Sequence, residues 1–292
     1  MSEGTAEAVS GPVTAAVGTA VALAAEYGIV ATEPVVLHDR ANILVHLAPA
    51  PLVARIAWVT ALARPDVRDY LARDLAIGEY LDKVGVPVVA PSRDLPAGPH
   101  ERDGRLITFW RHARPAQDQT HRPAEFSGLL ADLHAALRGF PGDLPTEPSL
   151  MVTEIVKHLR EPPEVLDGLV ADERRVLAAL AAEGRPVQAL HGDAHPGNLL
   201  RTVDGPRWID FEDTWRGPVD WDLACVAFSP RMDGTAALAA YPGAPTVADL
   251  GASATARRLQ GVIWSLLMAR RDPSRVEGAR QLLADWRAER SW

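Results

Sequence analysis

The hydrophobic pattern of this chain changes character once, and that change limits the folds open to it. Three short runs near the start alternate as strands do: Val35-Val36-Leu37, Asn42 to Leu47, and Leu52 to Val59. His38-Asp39-Arg40-Ala41 and Ala48-Pro49-Ala50-Pro51 separate them with turn chemistry. A helix is predicted from Val13 to Tyr27, with Gly28 as its C-cap, behind a small, polar stretch (1–11) expected to fray. A second helix, Val67 to Val84, places Leu71, Leu75, Gly78 and Leu81 at near-helical spacing, before further extended runs at Val86 to Val89, Leu95 and Arg105 to Trp110. Beyond Trp110 the period turns helical. Phe126, Leu129, Leu130, Leu133 and Leu137 share one helix face, and helices are predicted over Val152 to Leu159, over Pro163 to Glu183, and from Trp221 to the end. The pattern predicts an α+β chain of two lobes, a β-rich one over 1–110 and a mainly helical one over 111–292, with a cleft between them.

Composition narrows the partners. A net charge of −8 argues against a nucleic-acid binder, which would present a basic face. The apolar run Pro12 to Ala25 is too short to span a bilayer and lacks the basic flank of a signal peptide. One cysteine, Cys225, excludes an internal disulfide framework and suits a reducing compartment, so a cytoplasmic protein without a membrane partner is expected. Monomer and dimer both stay open. Lysine occurs only at positions 83 and 157, so a phosphate-binding cation elsewhere in the chain must be arginine.

The chemistry concentrates between residues 191 and 211. His191-Gly-Asp-Ala-His-Pro-Gly-Asn198 is followed, across a hairpin with its turn at Asp204-Gly205, by Trp208-Ile-Asp-Phe211. Asp193, Asn198 and Asp210 thus fall in the order and count of the protein-kinase catalytic loop and its metal-binding Asp. Phosphoryl transfer needs this set: a carboxylate to meet a substrate hydroxyl, and oxygen ligands to hold Mg²⁺ against nucleotide phosphates. Ile209 and Phe211 flank Asp210 as in a short strand, which would put its carboxylate at a sheet edge. Two other readings compete. Asp193 and Asn198 can be caps of an ordinary turn, and His191, Asp193 and His195 resemble part of a zinc site of a hydrolase, though no other histidines are suitably paired.

The run His191-Gly-Asp-Ala-His-Pro-Gly-Asn-Leu-Leu, then Trp208-Ile-Asp-Phe-Glu-Asp, then Gly217-Pro-Val-Asp-Trp-Asp-Leu-Ala224, closely resembles the aminoglycoside phosphotransferase (APH)-like family of small-molecule kinases. The resemblance implies a bilobal protein-kinase-like fold and transfer of phosphate from ATP or GTP, with Mg²⁺, to a hydroxyl of a small molecule. It implies that Asp193 is the catalytic base, that Asn198 and Asp210 are metal ligands, and that His191 and Asp222 support the catalytic loop. The family's nucleotide-clamping lysine falls within Leu52-Val-Ala-Arg-Ile-Ala57, where Arg55 takes its place, with Asp74 as its helix partner and Glu79 as the alternative. Arg40 and Asn42, in and after a first-strand loop without glycine, would lie over the phosphates. Thr108-Phe109-Trp110-Arg111 would form the hinge, its backbone bonding the purine with Phe109 or Trp110 nearby. His134 reads as a helix core residue. The missing lysine and glycines leave a pseudokinase, binding nucleotide without transfer, as the rival, and the acidic composition favours a cationic acceptor.

Overall fold

Alternation over residues 42–57 builds one buried face of a sheet. In the computed structural model, which describes residues 11–64 and 66–289, the first helix α1 is Gly11–Glu26, followed by strands β1 (Glu33–Asp39), β2 (Asn42–Ala48) and β3 (Leu52–Ala57). Ile43, Val45 and Leu47 of β2 and Leu52, Ala54 and Ile56 of β3 are fully buried against Val13, Ala16, Ala20 and Leu23 of α1. One short turn, α2 (Thr60–Ala63), leads into α3 (Val67–Lys83), and β4 (His100–Arg102) and β5 (Arg105–Arg111) complete an antiparallel sheet of order β1-β2-β3-β5-β4. In its register Arg55 stands between Leu44 of β2 and Thr108 of β5. Since Ala54 and Ile56 point at α1, period two sends Arg55 to the other face, beside α3.

The rest of the chain is mainly helical: α4 (Pro123–Leu137), α5 (Val152–Ile155), α6 (Pro163–Ala182), α7 (Asp220–Ala227), α8 (Gly234–Ala240), α9 (Gly251–Ala269) and α10 (Val276–Glu289). Two short pairs interrupt it, β6 (Gln188–Ala189) with β9 (Arg216–Gly217), and the hairpin β7 (Leu199–Thr202) with β8 (Gly205–Trp208). Leu259, Ile263, Leu266 and Leu267 of α9 join Leu169 and Val176 of α6 and Trp286 of α10 in one core. A second core joins Ile77 and Leu81 of α3 to Phe126, Leu130 and Leu133 of α4 and to Trp208, so α3 is anchored in the helical part. This is the bilobal α+β architecture expected.

The differences are local. The third strand stops at Ala57, Val88 makes only an isolated bridge to Trp208, Leu95 is not in a strand, and β4, β6 and β9 were not foreseen. β8 ends at Trp208, so Asp210 is not at a strand edge: its φ of 70° puts it in the left-handed region, which breaks strand geometry. The fraying expected for 1–11 lies outside the described residues, apart from Gly11, which opens α1. No described helix is long and apolar enough to cross a membrane.

Candidate active site

The loop from His191 to Asn198 hangs from one carboxylate. Asp222, in the first turn of α7, accepts the backbone N–H of His191 on Oδ2 at 2.8 Å and that of Gly192 on Oδ1 at 2.8 Å. His134 of α4 donates to Asp222 Oδ2 through Nε2 at 3.0 Å, and its Nδ1 lies 2.8 Å from the Tyr241 hydroxyl. Trp221 Nε1 donates to the Gly192 carbonyl at 2.7 Å. His191 Nε2 donates to the Ile209 carbonyl at 3.1 Å, which leaves Nδ1 as an acceptor, 3.4 Å from the Asp193 amide. Burial lowers the His191 pKa, more than the pull of Asp222 and Asp193 raises it, and the neutral ring fits these bonds. With both nitrogens committed to backbone, His191 has no lone pair for zinc, and no group of three His, Cys, Asp or Glu among the described residues is placed to hold a metal. The zinc-hydrolase reading fails on that geometry.

Gly192 is required by sterics. Its φ is +88°, and a Cβ there would sit 1.9 Å from the Asp213 carbonyl oxygen. Gly192→Ala is therefore expected to destabilise the protein by roughly 3 kcal/mol, from the left-handed backbone and the overlap together. Urea unfolding checks this, and a midpoint equal to wild type would refute it.

Asp193 is held from three sides. Asn198 Nδ2 donates to its carbonyl at 2.9 Å and to Oδ2 at 3.2 Å, His195 Nε2 lies 3.4 Å from Oδ2, and Arg257 of α9 donates to Oδ1 at 2.6 Å. Burial alone would push this carboxyl up, but Arg257, then His195 and His191, hold it well below the usual carboxylate range. It is an ionised acceptor at neutral pH. Because Asn198 spends its amide nitrogen on Asp193, its oxygen is the atom left to take a cation.

On the other side of the loop lies a dense ionic cluster. Arg55 Nη1 contacts Asp74 Oδ2 at 2.5 Å, and Nη2 contacts Asp210 Oδ1 at 2.8 Å and Glu212 Oε2 at 2.6 Å. Arg64 pairs with Glu212 and with Asp213, the latter at 2.7 Å, and Arg73 Nη1 donates to the Glu212 carbonyl at 2.8 Å. Asp74 also accepts the Phe211 amide at 2.8 Å. The Asn42 amide, turned so that its nitrogen donates to Thr60 Oγ1, accepts from Arg55 Nε at 3.1 Å and Nη2 at 2.7 Å. Two guanidiniums, Arg55 and Arg64, thus face four carboxyl groups, and the surplus of negative charge is felt. Burial first, with Asp210 and Glu212 adding to it, pushes Asp74 up to about 7 against the pull of Arg55. Burial likewise raises Asp213 to about 6 against Arg64.

The expected residues do not all gather here. Arg55, Asp74, Asn42 and Asp210 meet in one cluster, and Asp193 and Asn198 meet beside it. Glu79 is exposed, the Arg40 main-chain carbonyl accepts from Arg271, and Lys157 pairs with Glu154. Phe109 is the clearest correction. Its ring is fully buried in the core against α1, its amide donates to Ala97 and its carbonyl accepts from Ser92, so neither ring nor backbone is free for a purine. Trp110 packs near Gly78 and Pro91 and donates to Thr108 Oγ1, a core role as well. Arg64, Glu212 and Arg257 were given no role in the sequence analysis. The only signal for Arg64 and Arg257 was the general one that arginine must replace lysine.

The comparisons agree with this geometry. The model of the phosphotransferase enzyme family (APH) matches residues 37–260, well over half of the chain. No curated protein matches it. Among solved structures, the amicoumacin kinase hAmiN, solved with AMP-PNP, Ca²⁺ and Ami, is similar at a TM-score of 0.65 and 12% identity, over 95% of this chain and 96% of that one. APH(2″)-IIia, solved with GDP and kanamycin, gives 0.63 and 17% over 93% and 98%. A choline/ethanolamine kinase family protein from Mesorhizobium loti gives 0.55 and 21% over 91% and 94%. Those likenesses establish a shared kinase-like fold, and the family match, which spans the Asp222-braced loop and the cluster beside it, makes this chain a member of the APH phosphotransferase enzyme family.

Proposed function

We propose that this protein transfers the terminal phosphate of ATP or GTP, with Mg²⁺, to a hydroxyl of a small molecule. The observation that carries the reading is the juxtaposition, across one braced loop, of an ionised carboxylate at Asp193 and an acid-rich cluster around Asp210. Asp193 accepts the hydroxyl hydrogen bond and aims the oxygen. That oxygen forms a bond to the γ-phosphorus, the bond from γ-phosphorus to the β–γ bridging oxygen breaks, and the nucleoside diphosphate leaves with the electron pair. The hydroxyl proton passes to Asp193 and then to solvent. Arg55 takes phosphate oxygens in the place a lysine would hold. Asn198 and Asp210 fit Mg²⁺: both offer hard oxygen ligands, Asp210 is 35% exposed, and the surplus of carboxylates beside it attracts a divalent cation. These two residues would hold Mg²⁺ together with nucleotide phosphates, and the ion would supply neutralisation of charge on the transferred group. The similar structures solved with AMP-PNP and with GDP support a nucleotide ligand of this kind.

The test is a thermal-shift titration of the full chain with AMP-PNP, with and without MgCl₂, followed by ADP release in the presence of acceptor alcohols. Stabilisation by about 2.7 kcal/mol is expected at a hundred times Kd, and only with the metal present. No stabilisation would refute the proposal, and nucleotide binding without turnover on any alcohol would favour the pseudokinase.

A further inference from the structure

Arg257 borders the carboxylate to which the phosphotransfer reading assigns the acceptor hydroxyl. It is on α9, far in sequence from the catalytic loop, yet its Nη2 stands 2.6 Å from Asp193 Oδ1. Its position is fixed within its own helix: Nη1 donates to Gln260 Oε1 at 2.5 Å, and Gln260 donates in turn to the Ser149 carbonyl at 3.0 Å. Two of its five N–H donors hold these partners, and the side chain remains 19% exposed. A hydroxyl delivered to Asp193 stands within ~3 Å of that carboxylate, so a group bonded next to the hydroxyl carbon comes within reach of the guanidinium.

The helix continues the wall outward. Residues 257, 261, 264 and 268 follow the i, i+4, i+7, i+11 spacing of one face, opposite the buried face of Leu259, Ile263 and Leu266. Gly261 is exposed, and a Cβ there would meet nothing within 4 Å, so the space beside it is open. Trp264 and Met268 are only partly buried. Arg271, just past the helix, donates to the Arg40 carbonyl at 2.9 Å and lies over the Trp58 ring at 5.9 Å. In a chain of net charge −8, α9 contains two arginines and no acid. Asp193 is matched by Arg257, while the surplus carboxylates gather around Arg55 and Arg64 beside Asp210. An ammonium beside the reacting hydroxyl would face like charge, whereas a carboxylate there meets a planar fork suited to it.

Resting on the phosphotransfer reading above, we propose that Arg257 selects the acceptor: a hydroxy acid, whose carboxylate it binds beside the hydroxyl at Asp193 and whose apolar body lies along Gly261, Trp264 and Met268. This reverses the lean towards a cationic acceptor that overall acidity suggested, because net charge does not report where the charges sit.

The test uses the full chain with ATP and MgCl₂ and matched triplets, each a hydroxy acid with its diol and amino-alcohol counterparts, phenyllactate and mandelate among the acids. Within a triplet the hydroxy acid is expected to give the highest kcat/KM. Arg257→Gln should raise KM for the acid by roughly 10- to 100-fold more than for the diol, the worth of a charge-assisted hydrogen bond. Arg257→Lys, which keeps the charge, should recover part of that loss, and circular dichroism of both variants checks folding. Preference for the diol or amino alcohol would overturn the inference and leave phosphotransfer standing. An equal loss of kcat across the triplet, with KM unchanged, would also overturn it, since that is the signature of an arginine that only braces Asp193. Absence of ADP release with every alcohol, by contrast, would strike the phosphotransfer reading itself.

Discussion

Asp193→Asn is expected to lower kcat by roughly 10²- to 10⁴-fold while leaving the Kd for AMP-PNP within error of wild type. The substitution keeps the shape and one oxygen but removes the charge that accepts the hydroxyl proton. Nucleotide affinity is spared because Asp193 touches none of the residues around Arg55, and Asn198 keeps its bond to the residue-193 main-chain carbonyl, which holds its oxygen free for the cation. The amide also loses its ion pair with Arg257, so part of any change belongs to acceptor binding and will appear in the acceptor KM. Steady-state ADP release and calorimetric titration of AMP-PNP separate these quantities. Activity within tenfold of wild type would remove Asp193 from the chemistry.

Asp210→Asn should act on the other half of the reaction. The metal-dependent part of nucleotide stabilisation, about 2.7 kcal/mol at a hundred times Kd, is expected to vanish, and turnover with it. The ligand-free protein should be no less stable than wild type. Burial drives Asp74 up to about 7 and the charge of Asp210 adds to it, so neutralising Asp210 relieves repulsion on the buried Asp74 even as it weakens one contact with Arg55. Loss of ligand stabilisation without loss of intrinsic stability distinguishes a metal ligand from a structural residue. Thermal unfolding with and without AMP-PNP and MgCl₂ reads both, and an undiminished metal-dependent shift would exclude Asp210 as a ligand.

Much of this site was legible in the chain because its parts are local. Asp193, Asn198 and Asp210 lie within a single loop and hairpin, and their count alone restricts their geometry. Arg55 and Asp74 were paired through the family resemblance, and the fold brings the two side chains together. A period-two argument would have corrected the hinge: with Arg55 opposite Thr108, Phe109 must face α1 with Ala54. The left-handed backbone at Asp210 left no trace, since neither glycine nor asparagine marks it. Arg257 and Arg64 were illegible for another reason. Each meets its partner across a long stretch of chain, and only packing of α9 on α7, or of the α2–α3 junction on the 210–213 segment, brings them together. His134 was read as a core residue and is buried, but its bond to the acid that suspends the catalytic loop could not be seen without the fold.

The close approach at Gly192 has a mechanical consequence. With the backbone of the catalytic loop lying against Asp213, and with Ile209 N bonded to the Asn198 carbonyl at 3.0 Å and Thr214 Oγ1 to the His191 carbonyl at 3.2 Å, the two segments form one stiff block. The separation between the acid that meets the acceptor and the acid beside the metal is therefore fixed by main chain, not by rotamer choice. The sheet reaches this block at the cluster through the Arg55 side chain, a long arm that bends by bond rotation. Compliance at the site thus resides in the tether, and the spacing that in-line transfer demands is carried by the part that does not yield.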